Sequence, residues 1–143
     1  MKNLRLLLAL ACCMGMSALH AQRMSKNKKA LIASVEKHQS NLIALSDSIW
    51  ALAETAFNEG ESARILADYA EKNGFKVERG VAGMPTAFVA TYGSGKPVIS
   101  VLGEFDALPG ISQKAQPTKE ALNEGAAGHG CGHNLFGAGS LGA

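Results

Sequence analysis

Val98-Ile99-Ser100-Val101-Leu102 runs directly into Gly103-Glu104-Phe105-Asp106, and the reading of this join decides the fold. A continuous apolar run of this length, following the turn-like Gly93-Ser94-Gly95-Lys96-Pro97 and ended by glycine, reads as a central strand covered on both faces. Such strands belong to α/β sheets, where ligands gather beyond the carboxyl ends. Glu104 and Asp106, two residues apart at that end, point their carboxylates to one side. They are the first candidate site residues.

Upstream, Leu31, Ile32, Val35, Leu42, Leu45, Ile49 and Leu52 recur at steps of three, four and seven, which predicts a long amphipathic helix reaching about Ala56. Trp50 and Phe57 are assigned to the same apolar surface, and His38, among Glu36, Lys37 and Gln39, to the polar face. Glu59-Gly60-Glu61-Ser62 interrupts the pattern. Ser62 suits the N-cap of a second helix that runs through Leu66 and Tyr69 to Asn73-Gly74, where glycine suits the residue after the cap. Phe75-Lys76-Val77-Glu78 alternates as a half-buried edge strand does, and Thr86 to Tyr92 reads as another strand. The expected fold class is therefore α/β, a mixed sheet with helices packed on it.

Downstream, Ala107-Leu108-Pro109-Gly110 turns the chain, and a long polar loop expected to line a pocket leads to Gly128-His129-Gly130-Cys131-Gly132-His133-Asn134. Cys131 and His133 project to one side of an extended backbone, and the flanking glycines have no Cβ to block a close approach. A thiolate and an imidazole so placed can share one borderline-soft metal ion, although two ligands alone cannot hold it. Two tempting motifs fail. Gly95-Lys96 lacks the remaining residues of a phosphate loop, and Gly137-Ala138-Gly139-Ser140-Leu141-Gly142 matches the dinucleotide fingerprint in letters but follows no strand. The latter reads better as the small-residue face of a helix that starts near Asn134 and packs closely on the sheet.

With 143 residues, 47% hydrophobic, 18% charged and 16 glycines, the chain fits one modest globular domain. Lys2 and Arg5, the apolar Leu6–Met16 stretch and Ala18-Leu19-His20-Ala21 read as a secretory signal over residues 1–21. Residues 22–29, with Lys26, Lys28 and Lys29, read as a solvated linker, and 30–143 as the folded portion. The apolar stretch is shorter than the roughly 20 residues a membrane span needs. A periplasmic or secreted protein without a membrane anchor is the expectation. Loss of the signal lowers the formal charge from +2 to zero, which removes any electrostatic case for nucleic acid. It also removes Cys12 and Cys13. Cys131 then remains as the sole thiol, and metal coordination would protect it in an oxidising compartment.

Leu102 to Gly110 together with Gly128 to Asn134 resembles the peptidase M20 family, in its amidohydrolase subfamily and there the aminobenzoyl-glutamate hydrolase branch. Trp50, Phe75-Lys76-Val77 and Met84 to Phe88 look like the same branch. The resemblance implies a metallohydrolase catalytic domain with two divalent ions, zinc or manganese, that cleaves an amide bond of a small N-acyl amino acid or aminobenzoyl-glutamate-like substrate. By resemblance Cys131 and His133 correspond to metal ligands and Asp106 to the aspartate that orients the metal centre. Glu104 falls where many relatives have a ligand histidine, and His129 has no role to carry over. The general-base glutamate of the family lies downstream of the cysteine–histidine motif and the chain stops at Ala143, so the expectation is an N-terminal fragment, inactive alone, of an enzyme that forms a homo-oligomer or has a second subunit. Two other readings stand beside it: a cysteine hydrolase with Cys131 as nucleophile, and a secreted non-catalytic binding fragment.

Overall fold

The computed structural model describes residues 24–143. The expected signal over 1–21 lies outside them. The chain divides into two units, Met1–Ser34 and Val35–Ala143. Of the first, the described part is mostly the N-terminal end of a long helix, where Leu31 and Ile32 are exposed. All that follows concerns the second.

That helix, α1, spans Lys26–Leu52, so the residues read as a linker are helical from Lys26 onward. It ends four residues before the expected Ala56, because Ala53 turns to a positive φ of 48° that breaks the helical path. The apolar stripe is buried only where neighbours reach it: Leu45 and Ile49 are core, while Val35 stays exposed. Phe57, expected on the apolar surface, is exposed as well, since its own positive φ of 64° lies in a turn outside the helix.

A second helix, α2, spans Gly60–Lys72. Its first residue corrects the expected cap. Ser62 lies fully buried inside the first turn, and the Glu54 carboxylate takes over capping, accepting from the backbone N–H of Glu61 at 3.2 Å and of Ser62 at 2.8 Å and from the Ser62 hydroxyl at 2.7 Å. A negative group there also meets the positive end of the helix dipole. His38, read as a surface residue, is part-buried, and its Nδ1 shares a hydrogen bond of 3.1 Å with the Tyr69 hydroxyl of α2.

Strands β1 (Lys76–Arg79) and β2 (Phe88–Thr91) pair antiparallel, with Lys76 opposite Thr91 and Arg79 opposite Phe88. A third helix, α3, spans His133–Gly142, one residue from its expected start. Leu45, Ile49, Leu66 and Ala138 form the core, flanked by Ile65, Tyr69, Phe88, Phe105 and Leu141. Full burial of a side chain such as Ile49 or Leu66 contributes about 1.5–3 kcal/mol, so the two helices are held chiefly by this cluster.

The expected central strand is the main correction. Val98–Leu102 is not a strand and is open to solvent, with Ile99 82% exposed. A strand is a property of a hydrogen-bonded pair, and among the described residues the only sheet is β1–β2. The architecture is mixed helix and strand, but the described sheet is a two-stranded antiparallel one. The chain is next anchored at Leu102, whose carbonyl accepts from the Ser140 hydroxyl at 2.7 Å. Here the small-residue face of α3 packs closely, but on an extended segment outside the sheet it was expected to meet: a Cβ on Gly137 would lie 2.9 Å from the Glu104 carbonyl oxygen and 3.0 Å from Phe105 Cβ. Gly137 is thus the position that lets helix and extended chain touch.

Candidate functional site

Two short backbone bridges carry the chain beyond Asp106 into place. The Ala107 N–H donates to the Glu54 carbonyl at 2.7 Å, just after α1, as part of a parallel bridge between Thr55 and Ala107. Leu108 and Gly128 then exchange two N–H···O bonds of 3.1 Å. Together they bring the end of the Glu104–Asp106 segment against the glycine–histidine loop. Gly128 is needed for that approach, since a Cβ there would lie 2.6 Å from Ser112 Cα. The loop glycines do prevent a steric block, but at this position the neighbour spared is the Ile111–Ser112 backbone.

His133 opens α3 and points back at the two carboxylates. Its Nδ1 lies 2.9 Å from Asp106 Oδ1 and 3.1 Å from the Asp106 carbonyl oxygen. Both are acceptors, so Nδ1 carries the proton and donates. Nε2 is therefore the nitrogen left for chemistry, and it faces Glu104 Oε2 at 3.4 Å. In a neutral ring that places a nitrogen lone pair opposite a carboxylate, two acceptors that call for a donor or a cation between them. His133 and Asp106 are largely shielded, whereas the Glu104 side chain is half open to solvent.

Cys131 is exposed. Among the described residues no set of three His, Cys, Asp or Glu side chains gathers closely enough to hold an ion. Of the residues singled out from sequence, then, Glu104, Asp106 and His133 form one cluster, with Cys131 two residues away along the loop.

The structural roles of two residues in this region escaped the sequence reading. Asn134 is buried, and its amide donates to the Ser46 hydroxyl at 3.0 Å and the Ser46 carbonyl at 3.3 Å, pinning the first turn of α3 to α1. Ser46 sits beside Leu45 on the buried face of α1, and a polar residue in an apolar stripe was the available signal. His129 is only 7% exposed, and its Nε2 lies 3.1 Å from the Ile49 carbonyl oxygen. Burial pushes the pKa of this imidazole below its ordinary value, the hydrogen bond to Ile49 opposing the shift, so the neutral ring is favoured.

The mixed helix-and-strand chain thus sets a histidine between two carboxylates at a helix start. No family model matches the chain. Over 107 residues, 73% of its length, it is 48% identical to a protein of Escherichia coli (strain K12) named as one subunit of p-aminobenzoyl-glutamate hydrolase. The resemblance to the aminobenzoyl-glutamate hydrolase branch is therefore shown over most of the chain. The chain spans 22% of the length of that curated relative.

Proposed function

We propose that the Glu104–Asp106–His133 cluster, with Cys131, is part of the metal centre of an M20-type amidohydrolase that cleaves an amide bond of an aminobenzoyl-glutamate-like substrate. One observation carries the reading: with Nδ1 of His133 committed to Asp106, Nε2 and Glu104 Oε2 stand 3.4 Å apart. That is too long for a good hydrogen bond. It does match the separation of about 3.4 Å expected for two ligands bonded at about 2.1 Å to one tetrahedral ion. The donor set suits zinc, with imidazole, carboxylate and an adjacent thiol, and also accommodates manganese; the family resemblance favours two ions.

A divalent ion held there supplies Lewis-acid polarisation of the scissile carbonyl and a more acidic water. The chain's own residues do the rest of what is derivable. Asp106 fixes the tautomer and orientation of His133, in the manner of a carboxylate behind a ligating histidine. Glu104, half open to solvent, stands on the side from which a substrate arrives. The relative is named as one subunit of its enzyme, which favours assembly with a further subunit. The basic-then-apolar N-terminus favours a periplasmic or secreted setting. Among the described residues no helix is long and apolar enough to cross a membrane.

The cysteine-hydrolase alternative finds less support, since the nitrogen of His133 that Asp106 leaves free, Nε2, faces Glu104 Oε2 at 3.4 Å, and among the described residues no hydrogen bond joins exposed Cys131 to an imidazole. Cobalt titration of the 143-residue chain tests the proposal. A thiolate-to-cobalt charge-transfer band, absent in Cys131→Ser, is expected, and Asp106→Asn should weaken binding by about 10–100-fold. Absence of cobalt binding, or an affinity indifferent to Asp106, refutes it.

A further inference from the structure

The run from Val98 to Leu102 is apolar and unpaired, and no residue in it takes a positive φ. Val98, Ile99, Val101 and Leu102 are between 61% and 82% exposed, so both faces of the segment meet solvent. Exposed apolar chain with free backbone groups is a template for pairing with another strand. Its two edges differ. The Leu102 carbonyl accepts from the Ser140 hydroxyl, and a Cβ on Gly103 would lie 3.0 Å from Ser140 Cβ, so α3 occupies the edge to which Leu102 turns its backbone groups. Along an extended chain successive residues turn those groups to opposite edges. Ile99 and Val101 therefore offer theirs on the edge away from α3, and among the described residues no backbone group bonds to them.

Charge selects the partner. Lys96 precedes the run and Glu104 follows it, with no charged residue between them. Two copies laid antiparallel bring the basic end of each beside the acidic end of the other, whereas a parallel pair sets like against like. Strand β2 has no charge between Phe88 and Thr91 to match either flank. Centring the pair on Ser100 puts Val98 opposite Leu102, Ile99 opposite Val101 and Ser100 opposite itself, which is the symmetry of a two-fold interface. In that register Ile99 and Val101 exchange the N–H···O bonds, and Leu102 keeps its carbonyl for Ser140. We infer that Val98–Leu102 is a self-association surface, pairing antiparallel with the same segment of a second copy of this chain, with Lys96 of each copy beside Glu104 of the other. The inference is independent of the metal reading, although the two share Glu104, whose side chain is half open to solvent. A strand pair with no covering layer is a small interface, so the affinity is modest.

Sedimentation velocity of the 143-residue chain over a wide concentration range, with chelator present so that no metal occupies Glu104, tests it. A reversible monomer–dimer equilibrium is expected. Ser100→Lys sets like charges opposite each other at the two-fold axis and should raise the dimer dissociation constant about fivefold, and Lys96→Glu reverses both flanking pairs and should raise it about tenfold. Adding Glu104→Lys to Lys96→Glu restores opposite charges and should return the constant to within about threefold of the parent. All three positions are exposed, so the helical spectrum should not change. Under mild oxidation Ser100→Cys should cross-link two copies through position 100, as mapped by peptide mass spectrometry, whereas Val98→Cys, which falls opposite Leu102, should not link to itself. A chain that stays monomeric overturns the inference, as does one that associates equally in every variant, the behaviour expected of association through the apolar Leu6–Met16 stretch. Disruption by Lys96→Glu without rescue by the charge swap overturns the antiparallel pairing.

Discussion

Replacing Gly137 and Gly139 separately by alanine sets two opposing effects against each other within one helix. Both are interior positions of α3, where glycine costs about 1 kcal/mol relative to alanine, so propensity alone makes both substitutions stabilising. Space separates them. At Gly139 the new methyl meets nothing within 4 Å, and the full gain of up to about 1 kcal/mol should appear. At Gly137 the methyl would lie 2.9 Å from the Glu104 carbonyl oxygen and 3.0 Å from Phe105 Cβ. The first obstacle is backbone, which cannot rotate aside, and overpacking of this kind costs about 1–3 kcal/mol. Gly137→Ala should therefore be destabilising by about 1 kcal/mol net, leaving a gap of about 2 kcal/mol between the variants. Urea unfolding followed by helical circular dichroism measures it: at an m-value of about 1 kcal/mol per molar, the midpoints should separate by about 2 M with unchanged slopes. If Gly137→Ala proves as stable as Gly139→Ala, the close packing of α3 on the 102–105 segment is wrong, and with it the placement of His133 beside Glu104.

Glu54→Ala removes the acceptor for two backbone N–H groups and the Ser62 hydroxyl, and should cost about 1–2 kcal/mol in thermal or urea unfolding; an unchanged midpoint would refute its capping role. The Arg79 guanidinium beside Glu71 holds that carboxyl below its ordinary value, and Arg64 does the same for Glu61. A depressed carboxylate contributes stability that is present above its unfolded-state value and lost as pH falls through the folded one. Glu71→Gln should thus flatten the acid limb of the stability profile, by a small amount that salt diminishes because the pair is exposed; an acid limb as steep as the parent's contradicts the pairing.

Local chemistry made much of this chain legible. The end of α2 was marked by Asn73-Gly74, with Gly74 at a φ of 90°, and β1 and β2 by alternation between turn residues. The small residues of α3 announced a helix that lets another segment close, as Gly137 does against Glu104 and Phe105. What the sequence could not convey was partnership. The apolarity of Val98 to Leu102 states a preference for burial without naming the strand that satisfies it, and the described chain leaves those residues in solvent. Ser62 has the right chemistry for a cap, but the helix already starts at Gly60, and a carboxylate eight residues before Ser62 accepts from its first N–H groups, those of Glu61 and Ser62. His129 shows the same limit from the opposite side: nothing in its glycine-rich neighbourhood indicates that an α1 carbonyl 80 residues earlier will take its ring proton.

The cluster itself was half legible, for a physical reason. Spacing by two singled out Glu104 and Asp106, and both carboxylates face His133, one at each ring nitrogen, although the segment that carries them is not a strand. Spacing cannot reveal which atom each group offers, because that follows from the second hydrogen bond on each ring. Once Asp106 occupies Nδ1, the chemistry of His133 is confined to Nε2 and hence to the space shared with Glu104. The two bridges at Ala107 and Leu108 make this possible by docking the same few residues on α1 and on the loop at once. A perturbation of either bridge should therefore act on the histidine's partner before it acts on the histidine, and the carboxylate face of the cluster is the more sensitive reporter of the fold.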